Sequence, residues 1–488
     1  MGSLVLKGGR VIDPASGRDE IADVLIEHAR VTGIGTDLHG DAELDVTGHI
    51  VGPGFIDLHS HVNGIAGQRL QAMDGVTTTL ELEAGLWPVD LAYRNAAEQG
   101  RVLNYGFAAS WGGARGVVLA GIDQRADIAA ALATLGNAEW QGSSTKTQLD
   151  EWIGLLRGEL EVGALGIGIL QGYAPLSDPA EFLAVARLAA EAAVPTYTHS
   201  REIVESNPDT PIDGAEELRR AAGETGAHMH QCHVNSTSRR HIDRVLKTLS
   251  AAQAEGGRLT IEAYPYGAGS TGIGAAFLAP EKLSAWQLKP HNIMLLPSGE
   301  VIADVARLRE VRETAPGTPC IITYLDEDDP DDKALLLRSL AYEDSIVASD
   351  AMPIFFQDGT NESREWPLPA GGSTHPRTAG TFTRALRQMV RDHAIWTWVE
   401  AFRRCSYLPA QVMSFTSDMA GKGYLGVGAD ADLVVINPDT VTDTATYLDP
   451  TSPSVGVAHL FVAGAPVVRD GAMLTDAFPG RPIRGQIH

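Results

Sequence analysis

Apolar, strand-like runs alternate with helical patterns through the middle of the chain. Residues 178–193 carry apolar side chains at helical spacing, and the strand-like run 195–199 follows at once. A second helical pattern over residues 214–222 leads into the run 227–233. Strands and helices that repeat in this order favour a parallel sheet covered by helices. We therefore predict an α/β fold in the form of a (β/α)₈ TIM-like barrel.

The two ends of the chain have a different pattern of apolar and polar residues. Short apolar runs separated by Gly and Asp-Pro turns fill residues 1–52, and similar runs recur over residues 422–488. Such segments are typical of a small β-sandwich, so the barrel is expected to occupy residues 53–421. Within it, residues 353–376 are long, polar and rich in Gly and Pro. We expect this stretch to be either an active-site lid or a mobile surface loop.

Composition excludes several classes of function. The formal net charge of −24 would repel a nucleic-acid backbone, and no apolar run approaches the ~20 residues of a membrane span. The first residues read as a strand, without the apolar core of a signal peptide. The cysteines are too few and too scattered for a disulfide framework: Cys232, Cys320 and Cys405. We expect a cytoplasmic protein that binds a small molecule, and neither nucleic acid nor membrane.

Histidines and an aspartate lie at the ends of successive strand-like runs. His59 and His61 are separated by one residue, so on a strand both side chains point to the same face. His199, His233 and Asp350 each end a later run. Functional residues of barrel enzymes lie at the carboxyl ends of strands. Nitrogen and oxygen ligands around an open position suit a catalytic Zn²⁺ or a similar ion.

The second barrel strand carries two acidic residues. Glu81 and Glu83 share one face of the run 77–83, and Glu83 lies nearer the carboxyl end of the strand. We therefore prefer Glu83 as a metal ligand. His228 and His230 alternate with Met229, and the sequence leaves open whether they bind metal or have a supporting role.

Several longer motifs are similar to those of one enzyme family. A Pro-Gly turn followed by His-x-His resembles the start of the first barrel strand in metal-dependent amidohydrolases. Over essentially its whole length the chain resembles the N-acyl-D-amino-acid deacylases, or D-aminoacylases, within that superfamily. The matching segments are residues 51–61, 163–175, 198–201, 264–272, 375–384 and 422–435.

The resemblance implies a barrel with both chain ends joined in one sandwich, and a metal-dependent hydrolase of linear N-acyl bonds. In such an enzyme a metal-bound hydroxide attacks the amide carbonyl of an N-acyl-D-amino acid. His59, His61 and Asp350 would surround one metal position, while His199 and His233 would hold the other. Asp350 would act as general acid and base, taking the proton of the water and passing it to the leaving amine. One or two Zn²⁺ or similar divalent ions are the implied cofactor.

The same resemblance assigns residues to the substrate. Tyr264, Ser270 and Arg377 match positions that hold the substrate carboxylate, and a guanidinium fork suits this group. Tyr173 would line the side of the acyl group.

Three positions depart from the family pattern. Ala84 stands where the family has a cysteine metal ligand, so Glu83 replaces the thiolate or the second metal position is lost. Residues 164–170 contain no lysine that could bridge two metals, unlike hydantoinases and dihydroorotases. Asn235 stands where the deacylases often have a lysine. Either the substrate carries less negative charge, or Arg201 or Arg377 compensates.

The sequence leaves two alternatives to a deacylase open. The first is a hydrolase of cyclic amides or unusual peptides on the same fold, which the missing lysine favours. The second is a scaffold without catalytic activity, which the retained histidines and Asp350 disfavour. The sequence leaves the stereochemical preference, the acyl group and a homo-oligomeric state open.

Overall fold

The computed structural model describes residues 2–123, 126, 128, 134–296, 298–356 and 359–486. In chain order the strands are β1 (Leu4–Asp13), β2 (Arg18–Glu27), β3 (Arg30–Gly35), β4 (Ala42–Asp45), β5 (Ile50–Pro53), β6 (Phe55–Asp57), β7 (Val76–Leu86), β8 (Asn104–Ser110), β9 (Ile167–Ile169), β10 (Thr196–Thr198), β11 (Met229–Gln231), β12 (Leu259–Ala263), β13 (Ala268–Gly272), β14 (Ile293–Leu295), β15 (Pro319–Thr323), β16 (Ile346–Val347), β17 (Leu433–Ile436), β18 (Val457–Val462), β19 (Ala465–Arg469) and β20 (Ala472–Met473). The α-helices are Ile65–Met73, Val89–Gln99, Trp111–Ala120, Ala138–Gln141, Lys146–Glu161, Pro179–Glu191, Gly214–Thr225, Val234–Ser238, Ile242–Ala254, Val305–Thr314, Pro330–Ala341, Phe382–Leu386, Trp398–Phe402 and Leu408–Val412.

Eight strands form one sheet in chain order, from β6 through β12 to β16. Neighbours run parallel: Thr196 of β10 pairs with Ile167 of β9 on one side and Met229 of β11 on the other. A parallel bridge between Ser60 and Ala351 joins the segments that follow β6 and β16, so the sheet is nearly closed. This confirms the predicted (β/α)₈ TIM-like barrel.

A nine-stranded sheet combines both ends of the chain. Its centre is the antiparallel pair of β17 with β5, in which Leu433 faces Pro53 and Ile436 faces Ile50. β1 pairs with β2, β4 and β5, while β18 continues the sheet beyond β17. Val and Leu side chains from both ends pack into one buried cluster in this sheet. The expected β-rich domain made from the two chain ends is therefore present.

The two helices that the sequence predicts each begin at an aspartate cap. Asp178 accepts a hydrogen bond from Ala180 N, and a proline then opens the helix Pro179–Glu191. Asp213 accepts from the amides of Ala215 and Glu216 at the start of Gly214–Thr225. Both predicted helices are confirmed, and the second continues three residues beyond its predicted end. No helix in the described part of the chain has the length and apolar character needed to cross a bilayer.

By its internal contacts the chain divides into two compact units. Unit 1 comprises Met1–Leu80, Ala96–Gly106 and Ile346–Ile483, and unit 2 comprises Glu81–Asn95, Phe107–Ser345 and Arg484–His488. The nine-stranded sheet belongs to unit 1, and the small sheet of β13, β14 and β15 belongs to unit 2. The predicted domain boundaries at residues 52/53 and 421/422 stay a prediction.

The stretch 353–376 belongs to unit 1 and contacts other residues of that unit at several points. Phe355 and Ser373 exchange two backbone hydrogen bonds, and Ile354 and Phe356 are buried against the helix Ile65–Met73. Residues 357 and 358 lie outside the described residues. Whether this stretch acts as a lid stays a prediction.

Candidate active site

Three predicted metal ligands of unit 1 converge where β6 and β16 end. His59 Nε2 lies 3.3 Å from His61 Nε2. Asp350 Oδ1 lies 3.5 Å from the Nε2 atom of each histidine. All three residues are buried. The pattern of two histidines separated by one residue therefore places both rings beside the same carboxylate.

Asp57 connects the backbone segments that carry these ligands. Its carboxylate accepts hydrogen bonds from His59 N at 3.2 Å, Ser349 N at 3.0 Å and Gln71 Nε2 at 2.9 Å. The Ser349 hydroxyl also donates to it. Burial raises the pKa of the Asp57 carboxyl to about 7, although these donors oppose the shift. Asp57 thus ties the segment of His59 to the segment of Asp350.

A second group of predicted ligands lies in unit 2. Glu83 Oε1 is 2.7 Å from His233 Nε2 and 3.1 Å from His199 Nδ1. One ligand atom from each residue lies within 4.8 Å of the other two, and all three residues are largely buried. Two imidazoles and a carboxylate are common donors to Zn²⁺, so this set fits a divalent ion. Glu83, which the sequence favoured over Glu81, contacts both histidines.

Two of these residues have unusual backbone conformations. His233 has φ +30° and Asp350 has φ +50°, a region that residues other than glycine seldom adopt. Each follows a short barrel strand, where the chain turns away from the sheet. Such strain persists only where surrounding contacts determine it, and it is concentrated at functional sites.

Polar neighbours orient His233. Ser236 Oγ lies 3.1 Å from Nδ1 of the His233 ring. Glu262 Oε1 accepts a hydrogen bond from the backbone N–H of His233 at 3.3 Å. Glu262 also contacts His230 Nε2 at 2.9 Å, while Thr260 Oγ1 lies 2.8 Å from His230 Nδ1. Both ring nitrogens of His230 are thus engaged, which favours its supporting role. Burial lowers the pKa of the neighbouring His228 to about 3.

Aromatic rings cover one side of His199. The Tyr173 ring lies 4.6 Å from the His199 ring, and its hydroxyl bonds Thr271 Oγ1 at 2.9 Å. The Phe277 ring lies 5.3 Å from Tyr173 and nearly parallel to His199. Tyr173, expected beside the acyl group, therefore contacts a candidate metal ligand.

Two further residues expected to bind substrate lie in unit 2. Tyr264 is buried, with its ring centroid 6.3 Å from that of His233. Ser270 lies on β13, and its Oγ is buried without a hydrogen-bond partner among the described residues. A buried hydroxyl without a partner costs free energy, so this atom suits an external acceptor.

Arg377 lies against Asp350. Its Nη2 is 2.8 Å from Asp350 Oδ2, and its Nε donates to the Asp350 carbonyl at 2.5 Å. The guanidinium is fully buried. Arg377, expected to hold the substrate carboxylate, therefore contacts the residue that the sequence predicts to be the general acid and base.

Asn235 stands at the position of the missing lysine, and its side chain makes hydrogen bonds within the protein. Asn235 Nδ2 donates to the carbonyls of Tyr264 and Tyr266 and lies 2.8 Å from Tyr324 Oη. Arg201, considered as a replacement charge, is held in a bidentate pair by Glu217. Neither side chain therefore supplies a cation to a substrate.

Comparison with known proteins gives the family. Residues 42–313, more than half of the chain, match the model of the amidohydrolase family. The chain belongs to the amidohydrolase family. This agrees with the barrel and with both groups of histidines and carboxylates.

Proteins that align with nearly the whole of this amidohydrolase include deacylases. It is 27% identical to the D-aminoacylase of Alcaligenes xylosoxydans xylosoxydans, over 98% of this chain and 97% of that protein. It is 29% identical to the N-acyl-D-glutamate deacylase of the same organism, over 95% and 93%. The crystal structure of N-acyl-D-glutamate deacylase from Bordetella bronchiseptica contains zinc and a phosphonate that mimics the reaction's tetrahedral intermediate. It matches with a TM-score of 0.76 at 25% identity, covering 99% of each chain.

Several supporting residues of this amidohydrolase escaped the sequence analysis. Ser236 follows His233 by three residues within a helical turn, and this spacing could have identified it. Glu262 and Phe277 come from other segments, and nothing in their local sequence indicates a contact with a histidine ligand.

Proposed function

We propose that this amidohydrolase is a zinc-dependent enzyme that removes the acyl group from N-acyl-D-amino acids. The observation that carries the proposal is the Glu83–His199–His233 cluster, in which three donor atoms lie within 4.8 Å of one another. The full-length similarity to D-aminoacylase and N-acyl-D-glutamate deacylase supports the choice of substrate class.

Glu83, His199 and His233 would hold one ion, and His59, His61 and Asp350 form a second set of donors. A bound zinc ion supplies an activated water at neutral pH and polarises the amide carbonyl. In the set of Glu83, His199 and His233, a carboxylate oxygen replaces the thiolate sulfur of the family. Because oxygen is a harder ligand than sulfur, this set has a lower preference for thiophilic metals. Ser236, 3.1 Å from His233 Nδ1, fixes the ring so that Nε2 faces Glu83.

Asp350 would transfer the proton. Its carboxylate accepts the proton of the attacking water and delivers it to the nitrogen of the leaving amino acid as the C–N bond breaks. Arg377, 2.8 Å away, keeps the carboxylate oriented between these two steps. The products are a carboxylic acid and a D-amino acid with a free amine.

Ser270, Tyr264 and Tyr173 would contact the substrate. The Ser270 hydroxyl lacks a partner among the described residues and can donate to the substrate carboxylate. Tyr173 and Phe277 give the pocket an apolar wall beside His199. The cytoplasmic location and a homo-oligomeric state stay predictions.

The test is hydrolysis of enantiomer pairs by the zinc-loaded protein. We expect release of free amine from N-acetyl-D-leucine or N-acetyl-D-glutamate, with kcat/KM at least about 100-fold above that of the L-enantiomer. Liquid chromatography of the amino acid measures both rates. Zinc-loaded protein that leaves all four compounds intact but opens hydantoins would contradict the proposal and favour the cyclic-amide alternative.

A further inference from the structure

His375 caps the turn that carries Arg377. The turn Pro376–Thr378 begins directly after His375, and Nδ1 of the His375 ring accepts the backbone N–H of Arg377 at 3.1 Å. Pro376 has no N–H, so the amide of Arg377 is the first donor of this turn. Because a backbone N–H can only donate, Nδ1 carries no proton, and the neutral ring holds its proton at Nε2.

The His375 ring is held in one orientation. It is fully buried, and it meets the Tyr447 ring edge to face, with centroids 5.4 Å apart and ring planes at 84°. Asparagine, aspartate and serine are the common residues at such caps, and each supplies an acceptor on a smaller side chain. Here a rigid, buried ring supplies the acceptor, so the direction of the Arg377 backbone is set by a side chain with little freedom of its own.

The same turn holds the segment of Asp350. Arg377 Nε donates to the carbonyl of Asp350 at 2.5 Å, and Arg377 Nη2 lies 2.8 Å from Asp350 Oδ2. The next residue of the turn, Thr378, accepts the N–H of Met352 on its hydroxyl at 3.0 Å. A shift of the turn would therefore move both the backbone and the carboxylate of Asp350.

Asp350 depends on such support. Its φ of +50° is a conformation that residues other than glycine seldom adopt, and it persists only where neighbouring contacts determine it. Its Oδ1 lies 3.5 Å from Nε2 of His59 and from Nε2 of His61. Displacement of a reacting group by about 1 Å can cost about 100-fold in rate. The orientation of Asp350 is therefore decisive for proton transfer by its carboxylate.

We propose that His375 is a positioning residue for Asp350. Its Nδ1 sets the direction of the Arg377 backbone, and the guanidinium of Arg377 passes this direction on to the carbonyl and the carboxylate of Asp350. The proposal rests on the proposed function, in which Asp350 transfers the proton. His375 acts through Arg377 and takes no part in the bond-breaking step itself.

Two amide variants separate the roles of the two ring nitrogens. In His375→Asn the side-chain oxygen can take the place of Nδ1, whereas in His375→Gln the amide lies one bond further out, near the place of Nε2. We expect His375→Asn to keep kcat for an N-acetyl-D-amino acid within about 3-fold of wild type. His375→Gln should lower kcat by about 10- to 100-fold and leave KM within about 3-fold. An unchanged kcat in His375→Gln, or a loss confined to KM, would overturn the assignment.

His459 supplies a matched control. It is a buried histidine of β18 in the nine-stranded sheet, and its Nδ1 accepts the backbone N–H of Asp470 at 3.3 Å. His459→Gln therefore removes the same kind of hydrogen bond in the same unit. We expect the midpoint of thermal unfolding to fall by similar amounts in both glutamine variants, with kcat lowered only in His375→Gln. A comparable loss of kcat in both would show that His375 has only a structural role.

The variant Asp350→Asn tests the link between His375 and Asp350. Residues that act as a unit lose their effects together, so adding His375→Gln to Asp350→Asn should lower the residual kcat by less than about 3-fold. Independent sites have additive effects. The full loss of about 10- to 100-fold in the Asp350→Asn background would therefore contradict a role through Asp350.

A measurement without turnover separates this proposal from the proposed function. Hydrogen–deuterium exchange of the Arg377 amide reports on its hydrogen bond to His375 and needs neither metal nor substrate. We expect exchange at least about 10-fold faster in His375→Gln than in wild type and His375→Asn. If no N-acyl amino acid is hydrolysed but exchange follows this order, the proposed function fails and the anchoring of Arg377 by His375 stands. Equal exchange in all three proteins would overturn that anchoring.

Tyr447 gives a second route, should His375→Gln fold poorly. Its side chain is partly exposed, so Tyr447→Leu removes the ring contact with His375 at the edge of the core. We expect a kcat about 3- to 10-fold below wild type at unchanged KM, together with faster exchange of the Arg377 amide. Wild-type values of both kcat and exchange in Tyr447→Leu would contradict the proposal.

Discussion

Asp350→Asn is expected to lower kcat by about 10²- to 10⁴-fold, because the amide cannot carry a proton between water and leaving group. Asparagine keeps the shape of the side chain and an oxygen that can face His59 and His61. The protein should therefore still fold and bind metal. Fixed-time assays of the hydrolysis of an N-acetyl-D-amino acid give kcat, and elemental analysis gives the metal content of the variant.

The Asp350 prediction has a matched control. Asp209→Asn changes an exposed aspartate in the same way and should retain the full rate. If Asp350→Asn kept a rate within about 10-fold of wild type while its metal content was normal, Asp350 would lose its assigned role.

Glu83→Ala is expected to remove the metal held by His199 and His233, and with it more than about 100-fold of kcat/KM. Loss of an outer partner of a metal ligand already costs about 10- to 100-fold, and Glu83 itself contacts both histidines. Elemental analysis after dialysis should show fewer zinc ions per chain than in the wild type.

Glu81→Ala is the control for Glu83→Ala. Glu81 lies on the same strand and is similarly buried, so both variants remove an acidic side chain from the barrel interior. We expect Glu81→Ala to keep its zinc and to lose less activity. The opposite order would move the ligand assignment from Glu83 to Glu81.

The fold was predictable because its signals are local. Alternating apolar runs and helical patterns indicate a barrel, and short β-rich runs at both ends indicate the extra sheet. The separation of His59 and His61 by one residue follows from strand geometry alone. Glu83 was chosen over Glu81 by its place nearer the strand end, and the structure puts it between His199 and His233.

Other features depend on contacts between distant segments. Arg377 looked like a substrate ligand, but its contact with Asp350 becomes visible only in the folded chain. From the sequence, Arg201 was a candidate to replace the positive charge of the missing lysine. In the structure it pairs with Glu217.

The most direct test of the account is a zinc titration of metal-free protein. Chelation with dipicolinate should abolish hydrolysis of the N-acetyl-D-amino acid, and about one or two equivalents of Zn²⁺ should restore it. Glu83→Ala should fail to regain activity over the same range. Full turnover by protein with less than about 0.1 equivalent of any divalent metal would contradict the central claim that this amidohydrolase depends on its metal.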